Sequence, residues 1–188
     1  MMHTIQSTIS QIVTSIKPFD QQEKEHIAFT QNWIASGSQL FRLFKPANPA
    51  IHLVSYFVVF DQNSQKILMV DHKKSELWLP PGGHVERNEH PKETVKREII
   101  EELGIEAHFF FDDPFFLTVT DTVGCVQLHT DVSLWYVVKG NSNESLQYDK
   151  DEFHQICWYD WDQIPYERSD VHMRRFIDKL MHHLANKI

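Results

Sequence analysis

Glu98, Glu101 and Glu102 stand at positions i, i+3 and i+4 of a segment with helical character, behind a double glycine, Gly82-Gly83. Side chains so spaced on a helix are neighbours, with Cβ atoms ~5–6 Å apart. Each like-charge pair then costs roughly 1 kcal/mol in water, and nearer ~3 kcal/mol at the effective dielectric of a protein surface. A helix that only packs gains nothing from that repulsion. A divalent cation reverses its sign, and an all-oxygen donor set suits Mg2+ best, with Mn2+ as the alternative.

The surrounding residues say how these carboxylates would be mounted. Pro91 fits a first helical turn, where its missing N–H is not needed. Glu89 and Glu93 fall near the positive end of the helix dipole. Gly104 follows the last periodic residue, at the place of a left-handed cap. Val95, Ile99 and Leu103 form one apolar stripe that can lie on a sheet. The three glutamates occupy the adjoining sector, so one edge of the helix is anchored and the other offers oxygen ligands.

Gly83, Glu89, Arg97, Glu98, Glu101, Glu102 and Gly104, seven positions spread over 22 residues, with Ile99 and Ile105 at two aliphatic places, resemble the Nudix box at each fixed position. The flanking run from Leu77 to Glu86 also resembles the strand-and-turn entry of Nudix hydrolases. The resemblance implies a hydrolase that cleaves a diphosphate linkage in a nucleoside diphosphate joined to another group. It implies Glu98, Glu101 and Glu102 as the metal-bearing set, with Glu98 either ligating or activating water. Arg97, counted with the catalytic group, is expected to pin a carboxylate in a bidentate fork, with Glu89 either its natural partner or a further metal ligand through water. The backbone of Gly82 and Gly83 is expected to approach metal or phosphate closely. A further acid outside the box often completes such sites. Of Asp151 and Glu152, the expectation falls on Glu152 as a catalytic group.

Composition sets bounds on this reading. At 188 residues the chain is long enough for one domain with a substantial core. Its net charge of −8 argues against binding long nucleic acid through a basic surface, but not against a small nucleotide. No apolar run approaches a membrane span and the N-terminus carries no secretory core, so a cytoplasmic protein without membrane attachment is expected. Cys125 and Cys157 form neither a CxxC motif nor a disulfide framework, and read as reduced core thiols.

Along the chain, apolar positions at Ile5, Ile9, Ile12, Val13 and Ile16 predict a helix ended by Pro18. Asp20 is placed to cap a second helix through Ile27, Trp33 and Ile34, closed by Gly37. Residues 1–45 are thus read as a helical extension, whose role is packing or a homodimer contact rather than catalysis. A loop, residues 45–50, leads to the Nudix-like domain over 52–186. Val54–Phe60 and Lys66–Val70 read as a hairpin about Asp61–Ser64. Further strands are expected at Ala107–Phe111, Phe115–Thr120, Val123–Gln127, Val132–Val138 and Ile156–Tyr159, with a polar loop at Gly140–Ser145. Ser169 or Asp170 is placed to cap a last helix carrying Met173, Phe176, Ile177, Leu180, Met181 and Leu184. The fold class expected is α/β, an α/β/α sandwich about a mixed sheet, resembling the Nudix fold with an N-terminal helical extension.

Other residues invite a functional reading. His84 follows the double glycine and is a candidate phosphate contact, as is Lys73, with Lys74 beside it. Trp78, Trp135, Trp158 and Trp161 can stack on a base, although core packing is the commoner use of strand tryptophans. The 12 histidines include no HExxH and no His/Cys cluster with zinc spacing. Two other functions share the scaffold. An isopentenyl-diphosphate isomerase needs a cysteine near the metal, and the local sequence of both cysteines differs from those isomerases. A non-catalytic ligand-binding or regulatory module commonly loses box glutamates, which are all present here. RNA decapping is disfavoured by the acidic balance. Substrate choice among nucleoside triphosphates, ADP-ribose and sugar nucleotides lies outside the box, and Pro114 comes too early to match the ADP-ribose group.

Overall fold

An almost unbroken run of β-branched and aromatic residues makes β1 (Ile51–Asp61) a strand buried on both faces. The computed structural model describes residues 4–45, 47–122 and 128–186, and β1 is the middle of its sheet. Along one edge β1 pairs in parallel with β6 (Thr130–Lys139), from Ile51 opposite Thr130 to Phe60 opposite Lys139. β5 (Phe116–Asp121) adds antiparallel to β6. The other edge of β1 is shared. Its C-terminal end turns into β2 (Lys66–His72), while Val54, Ser55 and Tyr56 pair with β4 (Gly82–His84). β2 in turn carries β3 (Leu77–Leu79) and β7 (Phe153–Tyr159). The sheet is mixed, as expected, with one parallel pair of strands among the described residues.

Alternation along β1 divides the core. Leu53, Phe57 and Val59 face α1 (Ile5–Ser15), α2 (Gln21–Ala35) and α3 (Pro91–Leu103). Val58 and Phe60 face α4 (Met173–Ala185), whose Met173, Phe176, Ile177 and Leu180 are buried. The expected α/β/α layering follows. Both N-terminal helices belong to this core: Ile9, Val13, Trp33 and Ile34 cluster with Leu117 and Leu134. Packing is therefore a role the extension performs. Asp20 caps α2 as expected, its Oδ1 accepting from the Glu23 N–H at 2.7 Å.

α2 also covers the sheet edge. The N–H of Leu117 donates to Glu23 Oε1 at 3.3 Å, and that of Val119 to His26 Nδ1 at 3.3 Å. An open edge strand would present those donors to another chain. Glu23 is wholly buried and pairs at 2.7 Å with Lys179 of α4. Burial pushes the Glu23 carboxyl up and the Lys179 ammonium down, each against the pull of its partner. Beside this pair, the Arg175 guanidinium grips Asp20 through both oxygens at 2.6 and 2.7 Å and lowers its pKa to about 2.

Two expectations need correction. Residues 107–111 form no strand. They make a single bridge, Phe109 to Val138, flanked by hydrogen bonds from Phe110 N to Val137 O and from Lys139 N to His108 O. The consecutive rings of Phe110 and Phe111 meet at 4.9 Å, and both pack into the α4 layer. That arrangement is incompatible with strand alternation. Neither Ser169 nor Asp170 is the N-cap of α4, which begins later at Met173 after His172. Asp170 Oδ1 instead accepts from the His172 N–H at 2.8 Å. The strand expected at Val123–Gln127, with Cys125, lies outside the described residues.

The buried pair generates two expected outcomes. Lys179→Met leaves Glu23 charged and unpaired, and is expected to cost about 3–5 kcal/mol in chemical denaturation. The double variant Glu23→Gln/Lys179→Met is expected to recover part of that loss, and equal costs for the two would overturn this account. Asp20 has a folded-state pKa below its unfolded value, so its contribution is complete above about 3.8 and fades as pH falls towards about 2. Asp20→Asn should therefore remove part of the acid dependence of Tm across that window, with little further effect of pH at neutrality.

Candidate active site

α3 starts and stops where its residues dictate. Pro91 occupies the first turn, His90 Nδ1 accepts from the Lys92 N–H at 3.1 Å, and Gly104 closes the helix at φ 66°. The Gly104 N–H donates to the Ile100 carbonyl at 3.0 Å. Val95, Ile99 and Leu103 are wholly buried against the sheet. Each such side chain contributes roughly 1.5–3 kcal/mol. Ser55 of β1 ties the start of α3 down by donating to the Pro91 carbonyl at 3.0 Å.

This mounting brings α3 against β4. A Cβ on Gly83 would fall inside the Glu98 carboxylate, and one on Gly82 would collide with the Ser55 carbonyl and the Tyr56 backbone. The two glycines are therefore the condition for the carboxylate to lie on the strand.

Arg97 holds the acids in order. Its Nε and Nη2 bind Glu89 at 3.1 Å each, the fork expected from the sequence. Its Nη1 reaches Glu98 Oε1 at 2.6 Å and Glu101 Oε2 at 3.5 Å. Glu89 also accepts from the Glu86 N–H and the Thr94 hydroxyl. Burial pushes Glu89 up, but the Arg97 fork and those donors outweigh it and hold it below its usual value.

Glu98, Glu101, Glu102 and Glu152 lie within electrostatic reach of one another. Burial raises Glu98 despite Arg97, and the charges of Glu101 and Glu152 raise it further. Glu102, with 4% of its surface exposed, is raised well above the usual carboxylate range by burial, then by Glu98 and Glu152. Its Oε2 is buried without a hydrogen-bond partner. Glu101 projects outward, its side chain 58% exposed. Glu152 arrives from the loop before β7, where the Asp149 N–H donates to the Glu102 carbonyl at 2.9 Å. His72 Nε2 lies 3.3 Å from Glu152 Oε1 and keeps that carboxyl below its usual value. Asp151 is exposed. An orphaned carboxylate oxygen among further carboxylates fits a hard divalent cation.

Two expected substrate contacts are placed elsewhere. Lys73 sits beside the acids in the backbone, its N–H donating to the Glu152 carbonyl at 3.0 Å, but its ammonium binds the Lys150 carbonyl. The His84 ring packs 4.9 Å from that of His52, and burial together with the Arg42 cation lowers its pKa to about 3. Strand alternation accounts for this, since Gly83 turns its face to Glu98 and His84 the opposite one. Trp78 and Trp135 are core residues, the latter donating from Nε1 to Thr118 at 2.9 Å. Cys157 packs in the α4 layer, on the sheet face opposite α3.

Sequence reasoning missed His72 and Arg42, which carry no motif. Arg42 lies within electrostatic reach of both Glu98 and Asp131. It also missed a group formed by His52, His84, His129 and Asp131. The alternate placing of His129 and Asp131 was the one sequence signal for it.

Comparison with known proteins agrees with this geometry. Residues 51–180 match the model of the NUDIX domain. A putative 8-oxo-dGTP diphosphatase of Bacillus subtilis is 45% identical over 51 residues, 27% of this chain. That match spans about a third of the relative's length, 34%. A MutT-like protein of Streptomyces ambofaciens is 23% identical over 133 residues, 71% of this chain and 80% of the relative. Among solved structures, a Caenorhabditis elegans Ap4A hydrolase superposes with a TM-score of 0.60 at 18% identity, over 71% of this chain and 98% of the other. A MutT NUDIX hydrolase of Burkholderia pseudomallei gives 0.53 at 21% identity, over 69% and 97%. With the matched span running from β1 into α4 and the acid-bearing helix at its centre, this chain belongs to the Nudix hydrolase family.

Proposed function

We propose that the chain hydrolyses the diphosphate linkage of a small nucleotide, with Mg2+, or Mn2+, held by Glu98, Glu101 and Glu102. The observation that carries this reading is the buried, unpartnered oxygen of Glu102 among the neighbouring carboxylates Glu98, Glu101 and Glu152. Such an ion supplies charge neutralisation at the diphosphate and makes coordinated water more acidic.

The chain's own residues do the rest. Arg97, fixed by Glu89, orients Glu98 and reaches Glu101. Gly82 and Gly83 let β1 and the Glu98 carboxylate pack directly on β4, with no side chain between. Glu152, kept ionised by His72, is in the state to accept the proton of the attacking water. Arg42 from the segment after α2 is a cation at the edge of this site and suits a phosphate oxygen. The substrate class is a nucleoside diphosphate linked to another group: a nucleoside triphosphate, ADP-ribose or a sugar nucleotide. The activities for which the related proteins are named, 8-oxo-dGTP diphosphatase and Ap4A hydrolase, support a polyphosphate of that size. The net charge of −8 suits a small nucleotide rather than long nucleic acid. Among the described residues no helix is long and apolar enough to cross a membrane.

The test is a panel of nucleoside diphosphate derivatives assayed with Mg2+ for released phosphate products. Glu101→Gln and Glu102→Gln are each expected to cut kcat at least ~100-fold with the fold retained. Full turnover in both would remove these residues from the metal set, and no turnover by the wild type on any compound would favour a binding module. Gly83→Ala is expected to cost at least ~10-fold in kcat/KM, because the new methyl displaces the Glu98 carboxylate from its place on β4. Wild-type activity in that variant would show that the close approach is dispensable.

A further inference from the structure

Four side chains outside the carboxylate group meet at the start of the parallel pair of strands. His52 of β1, His84 of β4, His129 just before β6 and Asp131 of β6 each offer a ligand atom, all within 4.8 Å of one another. Register explains the meeting. His52 lies opposite Asp131, and Val54, two residues further along β1, lies opposite His84. Residues two apart on a strand share a face.

The chemistry of the group is set by what each ring does with its other nitrogen. His52 is wholly buried, and its Nδ1 lies 2.9 Å from the Pro49 carbonyl. A carbonyl only accepts, so Nδ1 carries a proton, and the metal-binding form of the ring would present Nε2 as a lone pair. That lone pair faces Asp131 Oδ1 at 3.2 Å, yet neither atom has a hydrogen-bond partner. Two buried acceptors facing each other are costly unless a cation lies between them. His84 Nε2 is likewise buried and unpartnered. His129 Nε2 stands 3.5 Å from the same Asp131 oxygen, while its Nδ1 contacts the Thr122 hydroxyl at 3.0 Å. Rings anchored through Nδ1, with Nε2 turned inward, have the outer support that metal-binding histidines need.

Distances also fit. Zinc bonds of ~2.0–2.1 Å in a tetrahedron separate the ligand atoms by about 3.3–3.4 Å. The two contacts to Asp131 Oδ1, at 3.2 and 3.5 Å, already have that length. The other separations, all within 4.8 Å, close by small ring movements.

We propose that His52, His84, His129 and Asp131 form a second metal site, for Zn2+ or a cation of similar ligand preference. Three imidazoles and one carboxylate select a borderline metal, whereas the all-oxygen group on α3 selects a hard one. The site joins β1, β4 and β6 on the sheet face opposite α3, and it stands whether or not the hydrolase reading holds.

The experiment is a titration of the chelator-treated full-length protein with Zn2+ in excess Mg2+, against a chromophoric competing chelator. Co2+ serves as a spectroscopic probe, and Tm is followed with and without Zn2+. One equivalent of Zn2+ per chain, a tetrahedral Co2+ spectrum and a rise in Tm are expected. His129→Ala and Asp131→Asn should each weaken binding at least ~10-fold and abolish the rise in Tm. Glu101→Gln should leave all three readouts unchanged. Because His52→Ala removes a wholly buried ring, the less buried His129 decides the matter, with its fold checked by circular dichroism. The proposal is overturned by the absence of a bound equivalent in excess Mg2+, by unaltered binding in both His129→Ala and Asp131→Asn, or by loss of binding in Glu101→Gln.

Discussion

Gly83 and Glu98 occupy space that any larger residue at position 83 would deny to the carboxylate, and the order of the acids follows from that contact. α3 can approach β4 so closely because its opposite edge, Val95, Ile99 and Leu103, is sunk into the sheet. Arg97 then has a fixed distance to span, and it distributes its donors over Glu89, Glu98 and Glu101. One guanidinium balances part of the negative charge. A charge on Glu102 is the most costly of the set, because burial and then Glu98 and Glu152 raise that carboxyl well above its usual range.

A second set of charges performs a different task at the β5 edge of the sheet. Asp20 and Glu23 of α2 meet Arg175 and Lys179 of α4, so the first third of the chain is locked to its last helix. Glu23 serves both helices and the edge strand, since it also accepts from the Phe19 and Leu117 N–H groups. Buried ion pairs add little net stability when compared with apolar residues, yet they punish any misplacement of either partner. Their contribution here is register: they fix where α2 lies along β5.

Much of this was legible in the residues. The helix carrying the acids, its proline start and its glycine stop are local signals, and the structure reproduces them at Pro91 and Gly104. The fork between Arg97 and Glu89 followed from guanidinium geometry. Glu152 was singled out by its position before the last strand, and its charge acts on Glu98 and Glu102. What the sequence hid depends on long-range register. His52 and Asp131 are separated by most of the domain and become neighbours only through the parallel pairing of β1 and β6. The direction of the His84 side chain depends on which face of β4 meets the helix. The apolar run at 107–111 has the composition of a strand, but its adjacent phenylalanines are both claimed by one layer.

The cover over β5 bears on how the molecule can be trimmed. The stretch that matches the family, 51–180, omits both N-terminal helices while retaining Lys179. Cut to that length, the protein would carry a stranded ammonium in its interior and a bare sheet border at Leu117 and Val119. A fragment of that kind invites strand-to-strand polymerisation, so the evolutionary unit and the foldable unit of this chain have different boundaries.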